Sequence, residues 1–141
     1  MEDSDFENFE FKINDNEKYL FKKLKNSFSP TGTTNLLLNA ILNSNPSSGK
    51  VLDLGSGIGI IGILLFLKKI AKEPVFLSDI NPSSKDCIKE NANFYNCKVI
   101  VKNGSLFCPW KNEKFDIILN DVSGISEKIA EISPWFKNIS C

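Results

Sequence analysis

A short apolar run opens directly onto three glycines at alternate positions: Val51-Leu52-Asp53-Leu54-Gly55-Ser56-Gly57-Ile58-Gly59. A run of this length reads as a buried strand. Glycines spaced this way let the backbone turn tightly and come close to a ligand. The residues that follow, Ile60 to Ala71, are largely apolar and close on Lys68, Lys69 and Lys72, which predicts a buried helix. A buried strand feeding a buried helix is the first half of a βαβ unit.

The alternation continues downstream. Val75-Phe76-Leu77-Ser78-Asp79 predicts a second strand, Pro82 starts a helix that runs to about Tyr95, and Val99-Ile100-Val101 predicts a third strand. Phe115 to Asn120 predicts a fourth, and Ser126 to Ile132 the start of another helix. The fold class is therefore α/β, with a doubly wound, mostly parallel sheet. Upstream, Glu17 to Asn26 carries Tyr19, Leu20, Phe21 and Leu24 among lysines and predicts a short amphipathic helix. Ser29 to Thr34 predicts a turn with capping residues, leading into a helix over Leu36–Leu42.

At 141 residues the chain is long enough to bury one core without staples. Its 17 positive charges are all Lys and balance 17 acids, but unevenly. Residues 1–17 hold seven acids against Lys12 alone. We read residues 1–14 as an acidic, mobile arm that Phe6, Phe9 and Phe11 can pin, and 15–141 as the folded domain. The remainder is basic, with Lys18, Lys22, Lys23 and Lys25 as its densest cluster, a candidate face for RNA. Without Arg, no guanidinium fork is available for phosphate or guanine. Without His, the Ser/His and Cys/His nucleophile pairs are excluded. The four cysteines lack CxxC spacing, so no metal site is expected and they read as reduced thiols. The acidic N-terminus lacks a secretory h-region. The longest apolar stretch, Ile58 to Leu67, is far short of the ~20 residues that span a bilayer. The expectation is a cytoplasmic protein with no membrane partner.

The glycine turn offers free N–H groups and a positive helix end to an anionic group. Two nucleotide-type ligands compete for it. Gly57-x-Gly59-x-x-Gly62 matches the dinucleotide fingerprint. Asp53, two residues before the first glycine, argues against that ligand, because a carboxylate there repels a pyrophosphate and suits an ammonium. The methionine end of S-adenosylmethionine carries both an ammonium and a carboxylate. Asp79, ending strand two, can accept both ribose hydroxyls, which serves NAD equally well. Ile80 can lie against an adenine face, and Asn103-Gly104-Ser105-Leu106 can meet the adenine edge.

The run VLDLGSGIGIIGI resembles motif I of the class I S-adenosylmethionine-dependent methyltransferases, LSDINP their second motif and FDIILND their fourth. The upstream FSPTGTTNLLL resembles the segment before motif I in the small-domain group, which includes ribosomal RNA and protein-glutamine methyltransferases. The resemblance covers Phe28 to Gly124 and implies a Rossmann-like methyltransferase fold with S-adenosylmethionine as cofactor. It implies that Gly55, Gly57 and Gly59 line the cofactor and that Asp53 holds the methionine amino group. Asp79 would bind the ribose, Ile80 the adenine, and Thr31, Gly32 and Thr33 would close over the methionine end. Gly104, Ser105 and Asn120 complete the cofactor set, with Ser105 standing where many relatives carry Asp. The family's Asn-Pro-Pro-Tyr is replaced here by Asp121-Val122-Ser123-Gly124, so adenine-N6 and glutamine-amide acceptors lose support. Asp121 becomes the candidate catalytic acid, placed to orient or deprotonate an acceptor.

The family sheet has seven strands and four are read here, so the C-terminal strands are expected to be lacking. Strand four would then be an apolar edge for a second copy to cover. By family analogy the acceptor is RNA or a translation protein. The alternatives are a non-catalytic S-adenosylmethionine-binding module and an NAD-dependent oxidoreductase.

Overall fold

The structure is a computed structural model and describes residues 5–25, 30 and 32–121. In chain order its elements are β1 (Phe6–Asn14), β2 (Glu17–Leu24), α1 (Gly32–Ser44), β3 (Val51–Leu54), α2 (Ile60–Leu67), β4 (Val75–Asp79), α3 (Ser84–Phe94), β5 (Val99–Asn103) and β6 (Ile117–Asn120). A short 3-10 turn, Cys108–Trp110, lies between β5 and β6.

The four apolar runs form one parallel sheet in the order β5-β4-β3-β6. The chain lays β4 and β5 outward on one side of β3, then returns to its other side for β6. Strand order therefore reverses between β3 and β6, and in such sheets the ligand crevice opens at that point beyond the carboxyl ends. The expected α/β class with a parallel, doubly wound sheet is the one observed.

Strand alternation divides the apolar residues between two cores. Val51, Val75, Leu77, Val101 and Leu119 face the larger core, where they meet Ile63, Leu64 and Ile88 of the helices. Leu52, Leu54 and Phe76 face the other way, onto Trp110, with Phe115 beside them. Among the described residues that second face is covered by the loop carrying Trp110 and Phe115. Trp110 holds its place by donating from Nε1 to Ser78 Oγ at 2.9 Å, and its ring meets Phe76 and Phe115 edge-on.

The N-terminal region departs from expectation. Glu17 to Asn26 is not a helix and Phe6 to Asn14 is not a loose arm. β1 and β2 form an antiparallel hairpin, with Phe9 opposite Phe21 and Phe11 opposite Tyr19. The period is two: Phe11, Ile13 and Phe21 point inward and are buried in the larger core. Asn14 Oδ1 closes the turn by accepting from the N–H groups of Asn16 and Glu17. Read alone, the second strand shows a plausible helical stripe. Only its pairing with the first strand settles the period.

α2 is also shorter than expected. It stops at Leu67, Lys69 takes a φ of 63°, and the N–H groups of Ile70 and Ala71 turn back to Leu65 O. Cys87 and Cys97 are buried thiols whose pKa values burial pushes up to about 12. Cys108 departs from the expected free thiol, being disulfide-bonded. Trp135, Cys141 and the helix expected from Ser126 lie outside the described residues. No helix among the described residues is long and apolar enough to cross a membrane.

Candidate functional site

The site grows from the end of β3. Asp53 points to the α2 side of the sheet and is 1% exposed. Its Oδ2 accepts the N–H of Gly62 at 2.9 Å, in the first turn of α2. Gly62 permits this approach. A Cβ there would stand 3.0 Å from Leu77 Cδ2 and 3.2 Å from Asp53 Cβ. Burial raises the Asp53 pKa to about 7. The Gly62 N–H opposes the rise, while the charges of Asp121 and Asp79 add to it.

The turn between β3 and α2 needs its glycines. Gly55, Gly57 and Gly59 have φ of 69°, 57° and 90°, the left-handed region that a side chain disfavours. Neighbouring strands hold the turn from behind. Ser56 donates its N–H and its Oγ to Ser78 O, at 2.9 and 3.1 Å. Gly57 N–H donates to Asp79 Oδ2 at 2.8 Å, and Gly59 N–H to Ser56 O at 2.8 Å. At Gly57 nothing lies within 4 Å of where a Cβ would point, so the turn presents open space there.

Asp79 does two jobs at the end of β4. Oδ2 takes the glycine turn, and Oδ1 accepts Asn81 N–H at 2.8 Å in an Asx turn. Burial raises its pKa against these hydrogen bonds. Ile80 is half-buried next to it. Asn103 Nδ2 ties the β5 loop to the same place, donating to Asp79 O at 2.9 Å and Ile80 O at 3.1 Å, and Gly104 N–H also reaches Asp79 O, at 3.0 Å. Ser105 is half-buried, and its carbonyl accepts the N–H of Cys108.

Across the switch, Asn120 Oδ1 lies 3.6 Å from the position a Gly55 Cβ would take. Asp121 follows at the end of β6. Its carboxylate accepts the hydroxyls of Thr33, at 3.1 Å, and Thr34, both in the first turn of α1. Gly32 begins that helix, and Thr31 lies outside the described residues. The fold thus gathers Asp53, the glycine turn, Asp79, Asn120 and Asp121 at one end of the sheet. Three carboxylates at strand ends favour a cation and disfavour a polyanion.

Two contributors escaped sequence reading. Thr34 is buried against Asp121. Asn91, 2% exposed, reaches the carbonyl of Ile58 inside the turn. A polar residue on the Cys87, Ile88 and Ala92 face of a helix was the available signal for Asn91.

Residues 18–121 match the methyltransferase small domain. The chain belongs to that family. Among methyltransferases of this kind, the release factor glutamine methyltransferase of Geobacter sulfurreducens is 26% identical over 113 residues, 74% of this chain and 39% of the relative. A solved structure, the ribosomal protein L11 methylase of Lactobacillus delbrueckii subsp. bulgaricus, superposes with a TM-score of 0.59 and 25% identity, over 79% of this chain and 56% of that one. The tRNA (uracil-54, C5)-methyltransferase of Pyrococcus abyssi, solved with S-adenosyl-L-homocysteine, shares the fold, with a TM-score of 0.50 and 24% identity over 72% of this chain and 24% of that one. The chain therefore spans between about two fifths and somewhat over half the length of the first two of these relatives.

Proposed function

We propose that this chain binds S-adenosylmethionine and transfers its methyl group to an acceptor of the translation apparatus. The observation that carries the reading is the buried carboxylate of Asp53 beside the glycine turn, at the switch between β3 and β6. A nearby ammonium would supply the positive partner that no described residue gives this buried carboxylate.

The residues present fit that cofactor. Asp53 holds the amino group through Oδ1, its Oδ2 being engaged by Gly62. The turn at Gly55, Gly57 and Gly59 lets the methionine end approach the backbone, with Gly32, Thr33 and Asn120 around it. Asp79, which holds the N–H groups of Gly57 and Asn81 and the Ser84 side chain, keeps acceptor capacity toward the ribose. Ile80, Gly104 and Ser105 frame the adenine. When bound, the cofactor supplies an activated methyl group on a sulfonium. The protein's work is positioning, for in-line attack by an acceptor nucleophile. Asp121, steadied by two threonine hydroxyls, orients the acceptor or takes its proton.

Both relatives above that act on translation proteins support a protein acceptor by name, and the tRNA enzyme an RNA one. The hairpin adds support for RNA. Lys12 and Lys18 stand directly opposite in the register and Lys22 shares their face, so three lysines, with Glu10 3.9 Å from Lys12, can meet a phosphate there. Lys23, in the expected basic cluster, instead pairs with Glu7 at 2.7 Å.

The test is calorimetric titration with S-adenosylmethionine and with NADH, followed by transfer of labelled methyl to total RNA, ribosomal proteins and release factors. Saturable binding of the first ligand alone, with label in one acceptor class, is expected. Binding without transfer reduces the chain to a cofactor-binding module. Binding of NADH alone overturns the reading.

A further inference from the structure

α3 seals the outer edge of the hairpin with side chains. β2 leaves the backbone groups of Leu20 and Lys22 pointing away from β1, an edge that needs partners. Tyr95 OH donates to Leu20 O at 2.6 Å, and Cys87 Sγ lies 3.0 Å from Lys22 O. Between them Asn91 matches Lys22 as a neighbouring strand would. Its Oδ1 accepts Lys22 N–H at 2.7 Å, and its Nδ2 donates to Lys22 O at 2.9 Å. The spacings agree physically. Four helical residues advance about 6 Å and two strand residues about 6.6 Å, so 91 and 95 keep step with Lys22 and Leu20.

Asn91 also does something its neighbours on the stripe do not. The second hydrogen of Nδ2 goes to Ile58 O at 2.9 Å, in the middle of the glycine turn. Both donors of the Asn91 amide and its oxygen are engaged. The other anchors of the turn, Ser78 O and Asp79, come from β4. Asn91 is the anchor from α3, and through it the hairpin touches the turn.

We infer that Asn91 is a positioning residue that fixes the glycine turn for cofactor binding and ties it, at Lys22 alone, to the N-terminal hairpin. This rests on the cofactor reading above, but the coupling can be read without any cofactor. Asn91→Asp keeps the acceptor for Lys22 N–H and removes both donors. Tyr95→Phe, one helical turn on, loosens the same hairpin edge without touching the turn.

Hydrogen exchange on the full chain, with no ligand, compares the amides of Lys22, Gly57 and Gly59. Asn91→Asp is expected to speed exchange at Gly57 and Gly59 at least tenfold, and Tyr95→Phe to act on the hairpin alone. S-adenosylmethionine titration should show about tenfold weaker binding for Asn91→Asp and less than a twofold change for Tyr95→Phe. In turnover, Asn91→Asp should raise KM for the cofactor and leave kcat near wild type. Unchanged exchange in the turn, or equal effects of both substitutions there, overturns the inference. If Asn91→Asp does not fold, exchange of the wild-type chain in low denaturant decides. Lys22 and Gly59 must then open together with one denaturant slope, and separate openings overturn the coupling. A wild-type chain that binds no S-adenosylmethionine but shows this exchange pattern refutes the cofactor reading and leaves the coupling intact.

Discussion

Asp53 concentrates the chemistry of the site in one residue. Burial lifts its pKa from an ordinary carboxylate value to about 7, so the folded state holds a proton that the unfolded chain releases. Between about pH 4 and about pH 7 the folded chain binds more protons than the unfolded one. Stability of the free chain therefore falls as pH rises through that window. Asn at this position keeps an acceptor for Gly62 N–H and removes the charge. Asp53→Asn should flatten this pH slope and raise the melting temperature at pH 8, read by thermal unfolding across pH. It should also weaken S-adenosylmethionine binding by about 1.5–3 kcal/mol through the lost charge-assisted bond. Affinity of the wild type should fall below about pH 7, as the carboxylate protonates. A flat affinity profile would count against Asp53 as the ammonium ligand.

The strand–turn–helix element tests two different demands on glycine. Gly57 needs freedom: its φ is 57° and its surroundings are open. Gly57→Ala should fold, with a stability loss of about 1–2 kcal/mol in urea unfolding. Gly62 needs closeness, since an added methyl would press on Leu77 Cδ2 and on Asp53 Cβ and Oδ2. Better helix propensity offsets part of that strain. The larger expected effect of Gly62→Ala is on cofactor affinity, because Asp53 must move. If titration finds the two variants equally impaired, the distinction fails.

At the scale of the whole molecule, the hairpin and the parallel sheet share one core. Phe21 is 1% exposed and belongs to the same cluster as Leu64 and Ile88. Phe21→Ala should cost about 3–5 kcal/mol and shift a single cooperative transition, with hairpin and sheet probes melting together. An unshifted sheet transition would make the hairpin an independent appendage. The second face behaves differently: Ile118 is 47% exposed and Ile100 39%, flanking the patch built on Trp110. β6 is an outer strand of the sheet among the described residues. A second copy covering that edge remains a proposal, checked by sedimentation of the full chain.

The sequence by itself determined the parallel sheet, the glycine turn and the placing of Asp53, Asp79 and Asp121 at strand ends. Those features rest on local grammar: apolar runs of strand length, glycines where φ turns positive, and acids where strands stop. It could not determine the hairpin, because Tyr19, Phe21 and their lysines satisfy a helical stripe until Phe9 and Phe11 are seen opposite them. Nor could it find Asn91, whose partners lie 69 and 33 residues away in the chain. The tying of Asp121 to Thr33 and Thr34 was hidden for the same reason, being 88 and 87 residues distant. Backbone preference is a property of neighbours in sequence. Which buried donor meets which carbonyl is decided only when packing brings distant segments together.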